Sequence, residues 1–226
     1  MFCRLRSATV IGVGSSIIEV EVDLKKGFPQ QTIVGLPDPA IKEAKERVHS
    51  AIRNTGFSFP LGSLTVNLAP ADLKKEGSIF DLAIAVGILV VSGQVPADEK
   101  LGSFIILGEL SLDGHVRPVH GVLAILEMAK KRDIRNIIIP SDNFKEASLL
   151  SGLSVYPIKL LKEAIEVLSG KASCVPVPQP QAENEKGNCG PVGWGVDFSE
   201  VKGQDYAVRA VEVAAAGGHN LLLIGS

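Results

Sequence analysis

The chain has 226 residues and a formal net charge of −2, with 46% apolar and 21% charged residues. That balance excludes a disordered or fibrous chain and supplies a core for one or two ordinary domains. It also excludes a uniformly basic nucleic-acid binder, while three scattered cysteines (Cys3, Cys174, Cys189) exclude a disulfide framework and fit a reducing compartment.

Phe2–Val10 and Ser16–Leu24 read as the strands of a hairpin turned at Gly12 and Gly14. Ile18, Val20, Val22 and Leu24 alternate with Glu19, Glu21 and Asp23, the period of a half-buried sheet face. Gln31–Leu36 is a third strand. Asp38 is placed to cap a helix, with Pro39 at its first position. Ile41, Ala44, Val48 and Ile52 give that helix one apolar stripe, ending near Gly56. Leu64–Leu68 is a fourth strand, followed by a charged loop over Ala69–Gly77.

Ser78–Val91 follows, and from Ile79 onward its only ionisable group is Asp81. A helix apolar all round is buried on every side, and this one is too short to span a bilayer. The Ser78-x-x-Asp81 spacing predicts Ser78 as its cap. Phe104–Leu107 is a strand. Gly108–Val119 is a hairpin, with Asp113-Gly114 predicting a type I′ turn. Leu123–Arg132 is a helix, Asn136–Ile139 a strand, Phe144–Leu150 a short helix, Ser154–Tyr156 a strand, and Leu160–Leu168 a helix capped at Gly170.

Composition then changes. Residues 171–193 carry Pro176, Pro178, Pro180 and Pro191 among polar residues, the signature of a linker. It separates a domain over residues 1–170 from a segment over 194–226. In the second segment Asp205–Ala216 is a helix, Gly217-Gly218 stops it, and Leu221–Ile224 is a strand running into Gly225-Ser226. A strand that ends in Gly ahead of a loop is how a phosphate-binding loop begins. The Lys and hydroxyl that such a loop needs do not follow, so the chain reads as cut there and is not expected to hydrolyse ATP as it stands.

Two regions resemble known families. KEGSIFDLAIAVGIL, GELSLDGHVRPVHG and NIIIP, within Val66–Leu168, are similar in order and spacing to the proteolytic domain of Lon and to the Lon-like domain of the recombination protein RadA. DFSEVKGQDYAVRAVEVAAAGGHNLLLIG over 197–225 resembles the entry to the ATPase module of the YifB/ComM family, the magnesium-chelatase-like AAA+ ATPases. The N-terminal stretch from VIGVGSSIIEVEVDL to ERVHSAIRNTGF is similar to the same family. The resemblance implies an α/β (α+β) Lon-like domain with a ribosomal-protein domain 2-like mixed sheet, a linker, and the first helix and strand of a P-loop module.

For function, it implies a cytoplasmic homo-hexameric ATPase that uses ATP and Mg²⁺ to drive DNA branch migration in recombination and natural transformation. Val201, Gly203 and Gln204 would lie on the adenine side, and Gly225 and Ser226 would begin the phosphate loop. Lon-type proteolysis needs a Ser nucleophile and a Lys base whose pKa an apolar site depresses. Against the Lon pattern, Ile79 falls where the nucleophile belongs and Leu123 where the base belongs. The domain is therefore expected to be a scaffold for DNA binding or assembly, with Ser78 a helix cap and Lys74 and Lys75 exposed loop charges.

Other signals are weaker. Lys130, Lys131, Arg132 and Arg135 fit a helix C-terminus as well as a phosphate contact. The Lys42–Arg53 helix is mixed in charge, and 5% aromatics argues against a stacking platform. His49, His115, His120 and His219 have no ligand spacing, so no metal is expected, and the Lon-like resemblance implies no tetrapyrrole partner. Nor is a membrane expected. Two rival readings stay open: an active Ser/Lys peptidase, and a chelatase-type motor.

Overall fold

The computed structural model describes residues 1–12, 14–97, 99–171, 175–176 and 201–225. They fall into two compact units, Met1–Gln181 and Ala182–Ser226.

The first unit is built on the long hairpin of β1 (Phe2–Ile11) and β2 (Gly14–Lys25), paired antiparallel from Phe2 opposite Asp23 to Ile11 opposite Gly14. β3 (Gln30–Val34) runs parallel to β4 (Ser63–Ala69), and β4 pairs antiparallel with β2. On the far side of β1, β5 (Phe104–Ile106), β8 (Asn136–Pro140) and β9 (Ser154–Ile158) add in parallel. β10 (Val175–Pro176) closes that edge antiparallel to β9, extending the sheet past Gly170. Among the described residues the order is β10-β9-β8-β5-β1-β2-β4-β3. This mixed sheet with packed helices is the Lon-like α/β fold.

The two halves of the sheet follow different rules. β1, β2 and β4 carry Leu5, Val20, Val22 and Val66 into the core, while Arg4 reaches Glu21 at 2.9 Å and Asn67 donates to Glu21 at 2.9 Å on the other face. An antiparallel sheet wet on one face alternates in this way. β5 and β8 are buried on both faces, and Ile105, Ile106, Ile137, Ile138 and Ile139 are fully enclosed.

α1 (Pro39–Asn54) starts as its sequence predicts: Asp38 accepts from the Ile41 N–H at 2.8 Å, and Pro39 opens the first turn. α2 (Asp81–Val91) buries all 11 of its residues against β1, β2, α1 and α5 (Leu161–Leu168). Gly87 makes this approach possible, because a Cβ there would stand 2.6 Å from Val22 Cγ2. α2 starts three residues later than predicted, and Ser78 does not cap it. Its first donors go to neighbouring backbone, Asp81 N–H to the Ser78 carbonyl at 3.1 Å and Leu82 N–H to the Gly108 carbonyl at 3.1 Å. With those groups satisfied, the Ser78 hydroxyl has no capping role.

β6 (Glu109–Leu110) and β7 (Val116–Arg117) form a separate ribbon. Its turn is not type I′. The connection is five residues long, closed by Gly114 N–H to the Ser111 carbonyl at 3.0 Å, and only Gly114 takes positive φ, at 86°. The Asp113 carboxylate instead accepts from Ser111 Oγ and the His115 N–H, which holds its pKa down at about 2. α3 (Val122–Lys131) and the short α4 (Phe144–Ala147) complete this unit, and Gly170 sits at φ 70° after α5, as its capping role requires.

In the second unit α6 (Asp205–Gly217) ends at Gly218, φ 63°. The predicted strand Leu221–Ile224 is not one. These residues make no ladder among the described residues, and Leu222 and Ile224 are 80% and 89% exposed. β geometry needs a partner for its backbone groups, which apolar composition alone does not supply.

Candidate functional site

The loop feeding α2 is fastened to the start of α1. Asp38 does this with both oxygens: one caps α1, the other accepts from the Gly77 N–H at 3.0 Å. Its own N–H donates to the Lys75 carbonyl at 3.2 Å, and Lys75 N–H donates to the Leu36 carbonyl at 3.4 Å. The loop is thus stitched across the chain turn that precedes α1, and a cleft of about 560 Å³ opens beside it, lined by Thr9, Asp38, Glu76, Ser78, Glu109 and His120 among others.

Lys75 corrects the sequence reading. It is fully buried, its ammonium donates to the Pro70 carbonyl, and burial lowers its pKa, with Asp72 opposing. A loop lysine is ordinarily exposed; this one is taken inside because its backbone is pinned on both sides to Leu36 and Asp38. Lys74 is the exposed charge expected, pairing with Glu76 at 2.6 Å.

The two positions aligned with the Lon dyad are both occupied by hydrocarbon. Ile79 is buried, with its carbonyl accepting from Gly108 N–H at 3.0 Å. Leu123 is half-buried in the first turn of α3, where its N–H donates to Glu146 at 2.9 Å. Ser78 Oγ donates to Glu109, and Glu109 also meets Arg117 at 3.5 Å. Ser78 therefore faces a carboxylate, while the buried amine of Lys75 is turned to Pro70. The arrangement assembles no Ser–amine pair, which is what Ser/Lys nucleophilic chemistry requires.

A residue pair that the sequence reading missed sits just behind. Arg47 of α1 reaches Asp81 with Nε at 2.7 Å and a second nitrogen at 3.1 Å, and also donates to the Ala40 carbonyl at 3.1 Å. Asp81 is 1% exposed, and burial pushes its pKa up to about 6 even though Arg47 and the Leu110 N–H pull it down. The signal was present in the sequence: one carboxylate in an otherwise apolar helix calls for a partner. The pair ties α1 to the first residue of α2 and so fixes the loop between them.

At the other end of the chain, Gly203 takes φ 71°, and Gln204 stands at the α6 N-cap without a capping side chain. Val201 is 41% exposed. Gly225 has open space around its Cα, and Ser226 lies outside the described residues. Of the four histidines, His49, His115 and His120 belong to the first unit and His219 to the second, and no group of three or more His, Cys, Asp or Glu side chains that could hold a metal is found among the described residues. Cys3 is buried with its thiol pKa raised to about 11, and Cys174 and Cys189 lie outside the described residues. No helix among the described residues is long and apolar enough to cross a membrane.

Comparison with known proteins covers nearly all of this. Residues 20–143 match the family described as subunit ChlI of Mg-chelatase, and residues 197–226 match the magnesium chelatase subunit ChlI family. Competence protein ComM of Haemophilus influenzae is 40% identical over 97% of the chain, and YifB of Escherichia coli is 40% identical over 98%. The chain spans 42% of the length of each. Lon protease 1 of Hydrogenovibrio crunogenus is 23% identical over 69% of the chain and 20% of its own length. With both units matched and the Lon-like sheet in place, the chain belongs to the magnesium-chelatase ChlI family, in the company of YifB and ComM.

Proposed function

We propose that this chain is the N-terminal part of an AAA+ ATPase that works on DNA as a cytoplasmic homo-hexamer, using ATP and Mg²⁺ to drive branch migration. The observation that carries the reading is the match to ComM, a competence protein, across both units in the same order. The Lon-like unit is a scaffold for DNA or for assembly and has no peptidase activity. Hydrocarbon at Ile79 and Leu123, together with a Ser78 hydroxyl engaged by Glu109, supports that part. Val201, Gly203 and Gln204 belong to the adenine side and Gly225 and Ser226 to the start of the phosphate loop, with the remaining nucleotide contacts supplied by sequence that follows. This reading follows the match to ComM, and a tetrapyrrole partner is not part of it.

The test is DNA-stimulated ATP hydrolysis and four-way-junction migration by the full-length protein, both expected. Hydrolysis indifferent to DNA, or stimulated by a porphyrin-binding partner, overturns the reading. One observation favours a second reading: the Lys75 amine is buried, burial lowers its pKa, and Lys75 lies three residues before Ser78. Digestion of casein by the purified protein, abolished by Ser78→Ala, would establish the peptidase instead. The expected result is no digestion by either form.

A further inference from the structure

A second cleft lies at the opposite end of β3 from the α2 loop. It encloses about 580 Å³ between the start of β3, the last turns of α1 and the loop 57–62. Its apolar wall is Phe57, Phe59 and Leu61, and its polar groups include Gln31, His49 and Arg53. The wall is held rigid. Gln94 accepts from the Ser58 N–H at 2.8 Å and donates to the Ser58 carbonyl at 2.7 Å. The His49 ring stands edge-on to Phe59 with centroids 4.6 Å apart, and Gln30 N–H donates to the Gly62 carbonyl at 3.2 Å.

Three features point to a ligand. Gln31 Nε2 is buried and makes no hydrogen bond among the described residues. A buried donor left unpaired is rare and costly, which favours rotation of the Gln31 side chain toward an acceptor in the cleft that it lines. Arg53 is exposed beside it with no carboxylate partner among the described residues, and no Asp or Glu lines the cleft. Leu61 is 88% exposed, and Phe28, just ahead of the lining residue Pro29, is 93% exposed. Apolar groups this open around a preformed cleft mark a contact surface.

We propose that this cleft binds an acidic peptide segment of a partner protein. An aromatic or aliphatic side chain fills the space against Phe57 and Phe59, a carboxylate meets Arg53, and a carbonyl accepts from Gln31 Nε2. Nucleic acid fits less well. Arg53 is the single Lys or Arg in the cleft lining, enough for one carboxylate and too few for a phosphate track. The open edge of β3 is not the receptor, because Lys45 Nζ already occupies the Gln31 carbonyl at 2.6 Å. This site is independent of the ATPase reading and of the Ser78 loop.

Fluorescence anisotropy of the 226-residue chain with a fluorescein-labelled Glu-Glu-Phe-Leu-Glu-Glu peptide tests it. Saturable binding is expected, weakened about tenfold or more by Arg53→Gln, the effect of losing one charge-assisted hydrogen bond. Gln31→Leu should also weaken it, and Gln-Gln-Phe-Leu-Gln-Gln and Glu-Glu-Gly-Gly-Glu-Glu should bind correspondingly less. Arg53 is a surface residue, so the variant is expected to keep the parent's thermal unfolding curve. No binding of the acidic peptide overturns the proposal, as does binding that both substitutions leave unchanged. Labelled dT15 that binds more tightly than the peptide and is released by Arg53→Gln would make the cleft a nucleic-acid site and overturn it as well.

Discussion

Helices α2 and α6 are both short and rich in Val and Ala, each begins on an Asp after a Gly-containing loop, and they end in opposite environments. Every residue of α2 is buried, whereas α6 buries none, and the apolar run Leu221–Ile224 that follows it is exposed. The difference is in what surrounds them. α2 is covered by two strands and two helices of its own unit, and its single carboxylate meets Arg47. An apolar pattern states that a face needs cover; another part of the structure has to provide it.

The largest effect expected on this comparison comes from the ion pair. Arg47→Leu leaves Asp81 buried without its partner and should cost about 3–5 kcal/mol in urea unfolding. The same carboxylate sets a pH dependence. Its pKa is raised from 3.8 to about 6 in the folded chain, so the folded state holds the proton more tightly than the unfolded one. The stability it contributes is complete below about pH 4 and is lost as pH rises through 6, by on the order of 3 kcal/mol. Asp81→Asn should flatten that limb of the pH–stability curve.

Truncation sharpens the contrast next. Ile84→Ala in α2 is expected to cost about 2–5 kcal/mol through the cavity it leaves, while Val213→Ala in α6 should stay within about 0.5 kcal/mol in the same chain. Equal costs would mean that α6 is covered in solution. At the loop the effect is smaller than that of Ile84→Ala. Asp38→Ala removes the α1 cap and the tie to Gly77, for about 0.5–2 kcal/mol, read as a lower Tm.

Much of the fold was legible in the sequence because it rests on local chemistry. The alternation in β2, the Asp38-Pro39 start of α1 and the Gly170 stop after α5 each depend on residues a few positions apart. The readings that had to change depend on distant partners. Ser78 has the spacing of a cap, but Gly108 supplies the carbonyl that the α2 N-terminus needs. Asp113-Gly114 has the composition of a type I′ turn, but Ser111 and His115 engage the Asp113 carboxylate in a longer one. Lys75 is buried because Leu36 and Asp38 hold its backbone. The cleft around Phe57 and Phe59 draws Gln31 from β3 and His49 and Arg53 from α1, so a composition with few aromatics gave no sign of it.

By itself, the sequence determined the family, the α/β character of the first unit and the hydrocarbon at Ile79 and Leu123, since motif order and side-chain identity are properties of the chain alone. Only the tertiary structure decided where the charges went: Asp81 onto Arg47, Ser78 onto Glu109, Lys75 into the interior. Burial and pairing depend on which backbones pack together, and residues 30 or more positions apart meet only when the sheet has formed.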